Sequence, residues 1–488
     1  MTGKAYLVDG ARLVAATLVL AACGSPRQAA LPSGEAPPAA ASDEAFLEDL
    51  QARTFSWFWE TTNPANGLVP DRAPDPPFSS VAAVGFGLTA YGVGVERGYV
   101  TREEAAERTL ATLRFFRDAP QGPEPTGVAG RWGFFYHFLD MEDGTRFRDT
   151  ELSTIDTALL MMGVLFAQEF YDRDTPEERE IRRLADALYR RVEWDRFQLP
   201  EGRISMGWKP DEGRFPYGYE GYDEAMFLYV LALGSPTHPV TPEAWDAFTS
   251  TYTWGDFYGY EHVNFGPLFG HQYSHVWIDF RGIQDAYMRE RGLDYFENSR
   301  LAALSQRAYA VDNPGGFVGY DGDVWGLTAS DGPANVRRVV NEDTVQFYTY
   351  RARAASLSGS QYEGVVDDGT IAPTATGGAV PFAPEVTVPA LRAIRARYGD
   401  LVYNEYGFVD AFNPTFTFTD VEVGRGVVDP ERGWFTDQQL GIDQGPIVLM
   451  IENHRSGLVW DKVRENPYIV RGLCRAGFAG GWLAGRCE

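Results

Sequence analysis

The chain has 488 residues, enough for one large domain or two ordinary ones, and a formal charge of −25. That charge argues against nucleic acid, whose phosphates need basic patches, and against polyanionic glycans for the same reason. Aromatic residues make up 14% of the sequence and come in local groups such as Trp132–Tyr136 and Tyr217–Tyr222. Such groups suit the flat apolar faces of sugar rings, although they also serve as ordinary core.

The N-terminus reads as an export signal. Lys4 and Arg12 precede an apolar run, Leu13 to Ala22, too short to span a membrane. The run ends in Leu20-Ala-Ala-Cys23-Gly24, which resembles a bacterial lipobox and makes Cys23 the expected lipidation site of a 1–23 signal peptide; an ordinary signal peptide is the alternative. Residues 24–41 form a Pro/Ala-rich tether, and 42–488 the folded domain. In an oxidising compartment Cys474 and Cys487 can form a disulfide, with two inert thiols as the other reading.

From Ser42 onward, runs that are apolar on every face (Val81–Val95, Thr154–Phe170) alternate with amphipathic helices (Thr101–Asp118, Thr175–Trp194). Each amphipathic helix opens with a capping-box pattern, Thr101…Glu104 and Thr175…Glu178. Further helices are expected near 223–233, 242–250, 274–291, 297–311, 341–356, 387–398 and 437–452. Fully buried helices alternating with one-faced ones imply two concentric helical layers, hence an all-α fold of (α/α)-barrel type, with an α-solenoid as competitor. The long Gly- and aromatic-rich connections should lie over one face.

Carboxylates gather in five stretches: Glu151-Leu-Ser-Thr-Ile-Asp156, Trp132–Asp140, Tyr217-Gly-Tyr-Glu220-Gly-Tyr-Asp223-Glu224, Asn404–Asn413, and Trp434–Pro446 with Asp443 at a helix mouth. Glycosidases need a carboxyl to protonate the leaving oxygen and a second to act as base or nucleophile, and these stretches supply the candidates. Taken singly, each acid is equally at home as a helix cap. His271 and His275 stand four apart, a spacing compatible with metal ligands, but no third ligand is evident and a structural or substrate-contacting role is favoured.

Taken together, Tyr136–Asp140, Glu151–Leu160, Tyr219–Glu224, Ser235–His238, Ile442–Pro446 and Ile451–Gly457 resemble the glycoamylase-like family, which includes endo-β-1,2-glucanases and sophorose-releasing enzymes of glycoside hydrolase family 144. The resemblance covers about residues 43–470 and implies an (α/α)6 barrel, a neutral β-1,2-glucan or oligosaccharide substrate, inversion, and no metal or cofactor. Glu220 is the expected general acid, its carboxyl raised by burial among Tyr217, Tyr219 and Tyr222. Asp443, then Asp410, is the expected base, with Glu151 in support. Trp132, Tyr136, His137, Asp140, Asp156, Tyr219, Asp223, His275, Trp325, Glu405, Trp434 and Arg455 are expected to bind sugar. A monomer held to the membrane only by its lipid is expected. The rival readings are a polysaccharide lyase, for which basic residues are short, and a non-catalytic glycan-binding lipoprotein.

Overall fold

The computed structural model describes residues 39–74, 76, 78–357 and 364–487. Two compact units result, Met1–Ser42 and Asp43–Glu488, and everything below concerns the second. Cys23 and most of the tether lie outside the described residues.

The described α-helices are α1 (Ala39–Thr61), α2 (Val81–Arg97), α3 (Arg102–Asp118), α4 (Thr154–Phe170), α5 (Pro176–Arg190), α6 (Met226–Gly234), α7 (Glu243–Thr249), α8 (Tyr273–Trp277), α9 (Ala286–Arg291), α10 (Tyr295–Asp312), α11 (Pro373–Gly377), α12 (Pro384–Tyr398), α13 (Gly441–Arg455), α14 (Leu458–Val463) and α15 (Pro467–Arg475). Twenty-two short strands in nine small sheets are interleaved with them among the described residues. This mixed α and β content corrects the expectation of an all-α, (α/α)6 fold. The strands run only two to five residues and mostly pair across long sequence separations, so they leave no alternating pattern in the sequence.

The segment 341–356, expected to be helical, shows the same correction locally. Val336–Val340 and Asp343–Phe347 form an antiparallel hairpin around Asn341 and Glu342, both at positive φ (49° and 76°). A two-residue turn of that hand matches the twist of its flanking strands, and the β-branched residues on either side favour the extended chain.

The apolar runs are buried as expected. Every residue of α2 from Val81 to Gly94 is buried, as is nearly all of α4. These two helices pack at backbone distance: a Cβ added at Gly85 would lie 2.1 Å from the Leu159 carbonyl oxygen, and one at Gly163 would lie 2.2 Å from that of Gly85. Any larger side chain there must push the helices apart. On α3, Ala106, Leu110, Leu113 and Phe116 form the buried stripe. Its Thr101–Glu104 capping box is complete, whereas the Glu178 carboxylate turns instead to Arg102 and the Arg173 backbone N–H. Cys474 and Cys487 are joined, with Cα atoms 5.3 Å apart.

The short strands position the site by stitching together the segments that lead into the buried helices. Arg72–Ala73, ahead of α2, pairs with Gln439–Leu440, ahead of α13. Leu152–Ser153, ahead of α4, lies between Phe134–Tyr136 and Gly207–Lys209. Ser274 Oγ donates to the Glu224 carbonyl and accepts from Phe227 N, tying α8 to α6. Tyr273 donates from its hydroxyl to the Ile442 carbonyl at 3.1 Å, which ties α8 to α13.

Candidate active site

Two groups of ionisable side chains meet at these helix entrances. In the first, Ser153 caps α4 and its hydroxyl donates to the Asp156 carboxylate. His137 Nδ1 lies 2.9 Å from Glu151 Oε1, and its Nε2 lies 3.6 Å from Asp156 Oδ1. Burial opposes the charge on His137, but Asp156, Glu151 and Asp71 outweigh it and raise its pKa to about 9. For Asp156 burial dominates the pull of His137 and leaves the carboxyl above its ordinary value. Glu151, less enclosed, is lowered by His137 against a smaller desolvation effect than Asp156 experiences.

Glu224 belongs to the same group. It immediately precedes α6, is enclosed by protein while retaining some solvent access, and feels the charge of Asp156. Burial raises its pKa to about 7. Asp223 lies behind it, fully buried, its carboxylate accepting from Ala225 N at 2.8 Å. Burial first, and Glu224 second, push Asp223 well above the carboxylate range.

In the second group, Arg72 donates to both oxygens of Asp331 (2.9 and 3.2 Å) and to Asp71 at 3.1 Å. Asp331 N in turn donates to Asp410 Oδ2 at 2.7 Å. Asp410 Oδ1 and Asp443 Oδ2 are buried without a hydrogen-bond partner among the described residues, and the two carboxyls act on each other's charge. Burial and Asp331 raise Asp410 to about 7, while burial and Asp410 push Asp443 well above the carboxylate range. Tyr273 links the two groups, because its hydroxyl donates to the Ile442 carbonyl next to Asp443 and its phenol feels Asp443, Glu224 and Asp156. Asp156 and Asp443 stand in the first turns of α4 and α13, where helix N-termini favour negative charge.

The arrangement departs from the sequence expectations at several residues. Glu220 is not buried among tyrosines: its side chain is 56% exposed and ion-paired with Arg203, while Tyr217 is itself exposed. The turn at Gly221 (φ 74°) sends Glu220 outward and lets the chain enter the protein at Tyr222. Tyr136, His275, Trp325 and Trp434 are wholly buried and have no face to offer a sugar. His275 bonds Ser299, and Trp434 donates to the Arg425 carbonyl. Trp132 is covered by the guanidiniums of Arg131 (3.9 Å) and Arg196 (4.7 Å). Asp140 accepts backbone N–H groups of its own turn, and Glu405 is an exposed residue beside Asn404 on another face.

Arg455 is bound to Glu44 and Glu48 at the far end of α13, twelve residues or about 18 Å of helix from Asp443. Glu151, His137, Asp156, Tyr219, Asp223, Asp410 and Asp443 do come together, Tyr219 through its proximity to Glu224 and Asp156. Sequence reasoning passed over Asp71, Arg72, Tyr273, Asp331 and Tyr350, and the glutamate of the 217–224 stretch that the fold encloses is Glu224, where burial was expected at Glu220. The signal for Glu224 was available: it directly precedes the wholly apolar Ala225–Leu233.

Comparison with known proteins agrees with a carbohydrate-active site. The Glycoamylase family model, described as "Putative glucoamylase", matches residues 216–467. A curated relative from Parabacteroides distasonis, an exo β-1,2-glucooligosaccharide sophorohydrolase acting at the non-reducing end, is 28% identical over 466 residues. That match covers 88% of this chain but 58% of the relative, so the chain spans well under two thirds of that protein's length. Among solved structures, one from Bacteroides uniformis with the same glucoamylase label has a TM-score of 0.74 at 30% identity, covering 90% of this chain and 98% of its own. The endo-β-1,2-glucanase of Chitinophaga pinensis, solved with sophorotriose and glucose, has a TM-score of 0.73 at 26% identity, covering 90% and 99%. With the family model matching more than half of its length, the chain belongs to the glycoamylase family of glucoamylase-like proteins.

Proposed function

We propose that this protein is a glycoside hydrolase that cleaves β-1,2-linked glucan or its oligosaccharides with inversion at the anomeric carbon. The observation that carries the reading is Glu224, a carboxyl held at about 7 at the mouth of a buried helix and facing a second acidic group across Tyr273. A general acid must keep its proton near working pH and reach the leaving oxygen, and desolvation provides the first condition. The activities named for the P. distasonis and C. pinensis relatives support the β-1,2 linkage.

In this mechanism Glu224 gives its proton to the glycosidic oxygen as the C1–O bond breaks. Water attacks C1 from the opposite face and loses a proton to the Asp410–Asp443 pair in its singly ionised form. Exchange with solvent then returns the proton to Glu224. The Asp331 N–H holds Asp410 in place, and Arg72 holds the Asp331 carboxylate. His137, bonded to Glu151 and Asp156, fixes those carboxylates where they can accept sugar hydroxyls. Export and a lipid anchor at Cys23 complete the proposal for an enzyme meeting glycans outside the cytoplasm. The test is a digest panel of linear β-1,2-glucan, laminarin and starch, with reducing ends measured. Release from β-1,2-glucan alone supports the reading, and release from starch or laminarin at equal rate, or from none, contradicts it.

A further inference from the structure

Tyr350 is an anomaly in this fold. Its side chain is 47% exposed, among the most exposed large aromatics of the described residues. It nevertheless stands directly across a strand pair from Asp331, whose N–H donates to Asp410, and its phenol is raised by burial and then by Asp443, Asp410, Asp71 and Asp331. The ring therefore borders this acidic group while keeping a face open to solvent. Tyr273 feels Tyr350 as well as Asp443, Glu224 and Asp156, which ties Tyr350 to both acidic groups.

The backbone beneath the ring is fixed. Tyr350 pairs directly with Asp331, whose carboxylate is clamped by Arg72. Three residues on, Arg353 is fully buried, donating to Asp368 at 2.6 and 2.8 Å and to the carbonyls of Ser330 and Asp331. Among the described residues the Tyr350 hydroxyl has no hydrogen-bond partner and its ring no aromatic neighbour. A rigidly held aromatic with an open face, beside a row of carboxylates, offers a pyranose both contacts it needs: an apolar plane for its C–H face and acceptors for its equatorial hydroxyls. The other aromatics near the cleft lack that free face, since Trp132 is covered by guanidiniums and Trp434 is buried.

We propose that Tyr350 is a substrate-binding residue forming the sugar platform of the subsite beside Asp410–Asp443. The inference rests on the glycan-hydrolase reading above. Its test is steady-state kinetics of the purified full chain on β-1,2-gluco-oligosaccharides, comparing wild type with Tyr350→Phe and Tyr350→Ala, with a thermal melt of each. Tyr350→Ala should raise KM about tenfold or more while kcat and melting temperature change little, and Tyr350→Phe should lie much nearer wild type. An unchanged KM in Tyr350→Ala, or an equal fall in kcat and melting temperature, would overturn the platform while leaving the hydrolase intact. A wild type with no activity on any β-1,2-glucan removes the hydrolase reading and this inference together.

Discussion

Replacing Glu224 by Gln keeps the shape of the side chain and removes the proton it can transfer. With its pKa at about 7, Glu224 is roughly 90% protonated at pH 6 and roughly 10% at pH 8. The wild-type rate should therefore peak near 7, with an acid limb where Asp410, also at about 7, takes up its proton and an alkaline limb where Glu224 ionises. Glu224→Gln should lose about 10²–10⁴-fold in kcat at pH 6, or about 3–5 kcal/mol of transition-state stabilisation, and its remaining rate should no longer follow that limb. Stability should move the other way. The unfolded carboxyl ionises from about 4.5 upward while the folded one holds its proton to about 7, so the native state is progressively disfavoured between those values and carries the full cost above them. At 1.36 kcal/mol per unit the cost is of order 3 kcal/mol, and Glu224→Gln should be more stable than wild type at pH 8 but not at pH 4. Glu220→Gln is the control: it loses only an exposed ion pair with Arg203, worth about 0–1 kcal/mol, and should keep its rate within about twofold. The assay is initial rate on linear β-1,2-glucan from pH 5 to 9 beside denaturant melts. Near-wild-type activity in Glu224→Gln, or a deep loss in Glu220→Gln, would refute the assignment.

Three further outcomes are expected. His137 is raised from 6.5 to about 9, so its contribution, of order 3 kcal/mol, is complete below pH 6.5 and is lost as pH rises to 9. Urea unfolding of wild type against His137→Gln should show that gap at pH 6 and little of it at pH 9.5; a gap independent of pH counts against the ion-pair account. The Cys474–Cys487 bridge closes a loop over a separation of 13 residues, so the Cys474→Ser/Cys487→Ser variant should lose about 3 kcal/mol with activity at 25 °C retained, as read from melts and rates. Cys23→Ser should abolish lipid labelling and processing by the lipoprotein signal peptidase; a variant still cleaved and lipidated like wild type would contradict the lipobox.

The helices were legible in the sequence wherever the hydrophobic pattern was long. Thr154–Phe170 has the bounds its apolar run suggested, and the Thr101 capping box marked the start of α3. The strands were not legible, because a pair such as Arg72–Ala73 with Gln439–Leu440 is specified by tertiary packing and carries no local period. The same cause hid much of the site. Asp71, Arg72 and Asp331 become ligands of one another only once those distant pairs form. The exposure of Glu220, expected to be buried, has a narrower origin: Gly221 takes a positive φ, so the residue before it faces water while Tyr222, Asp223 and Glu224 lead inward to α6. Aromatic content was a poor guide to sugar contacts for the ordinary reason that most tryptophans here, including Trp325 and Trp434, fill the core.

Proton NMR of linear β-1,2-glucan during digestion by the purified protein tests the central claim most directly, since linkage cleaved, hydrolysis and stereochemistry are read from one spectrum. The account predicts that new reducing ends appear first as the α-anomer, equilibrate by mutarotation, and fail to appear at comparable rate with Glu224→Gln. New ends appearing first as the β-anomer, or no new anomeric signal from the wild type, would contradict it.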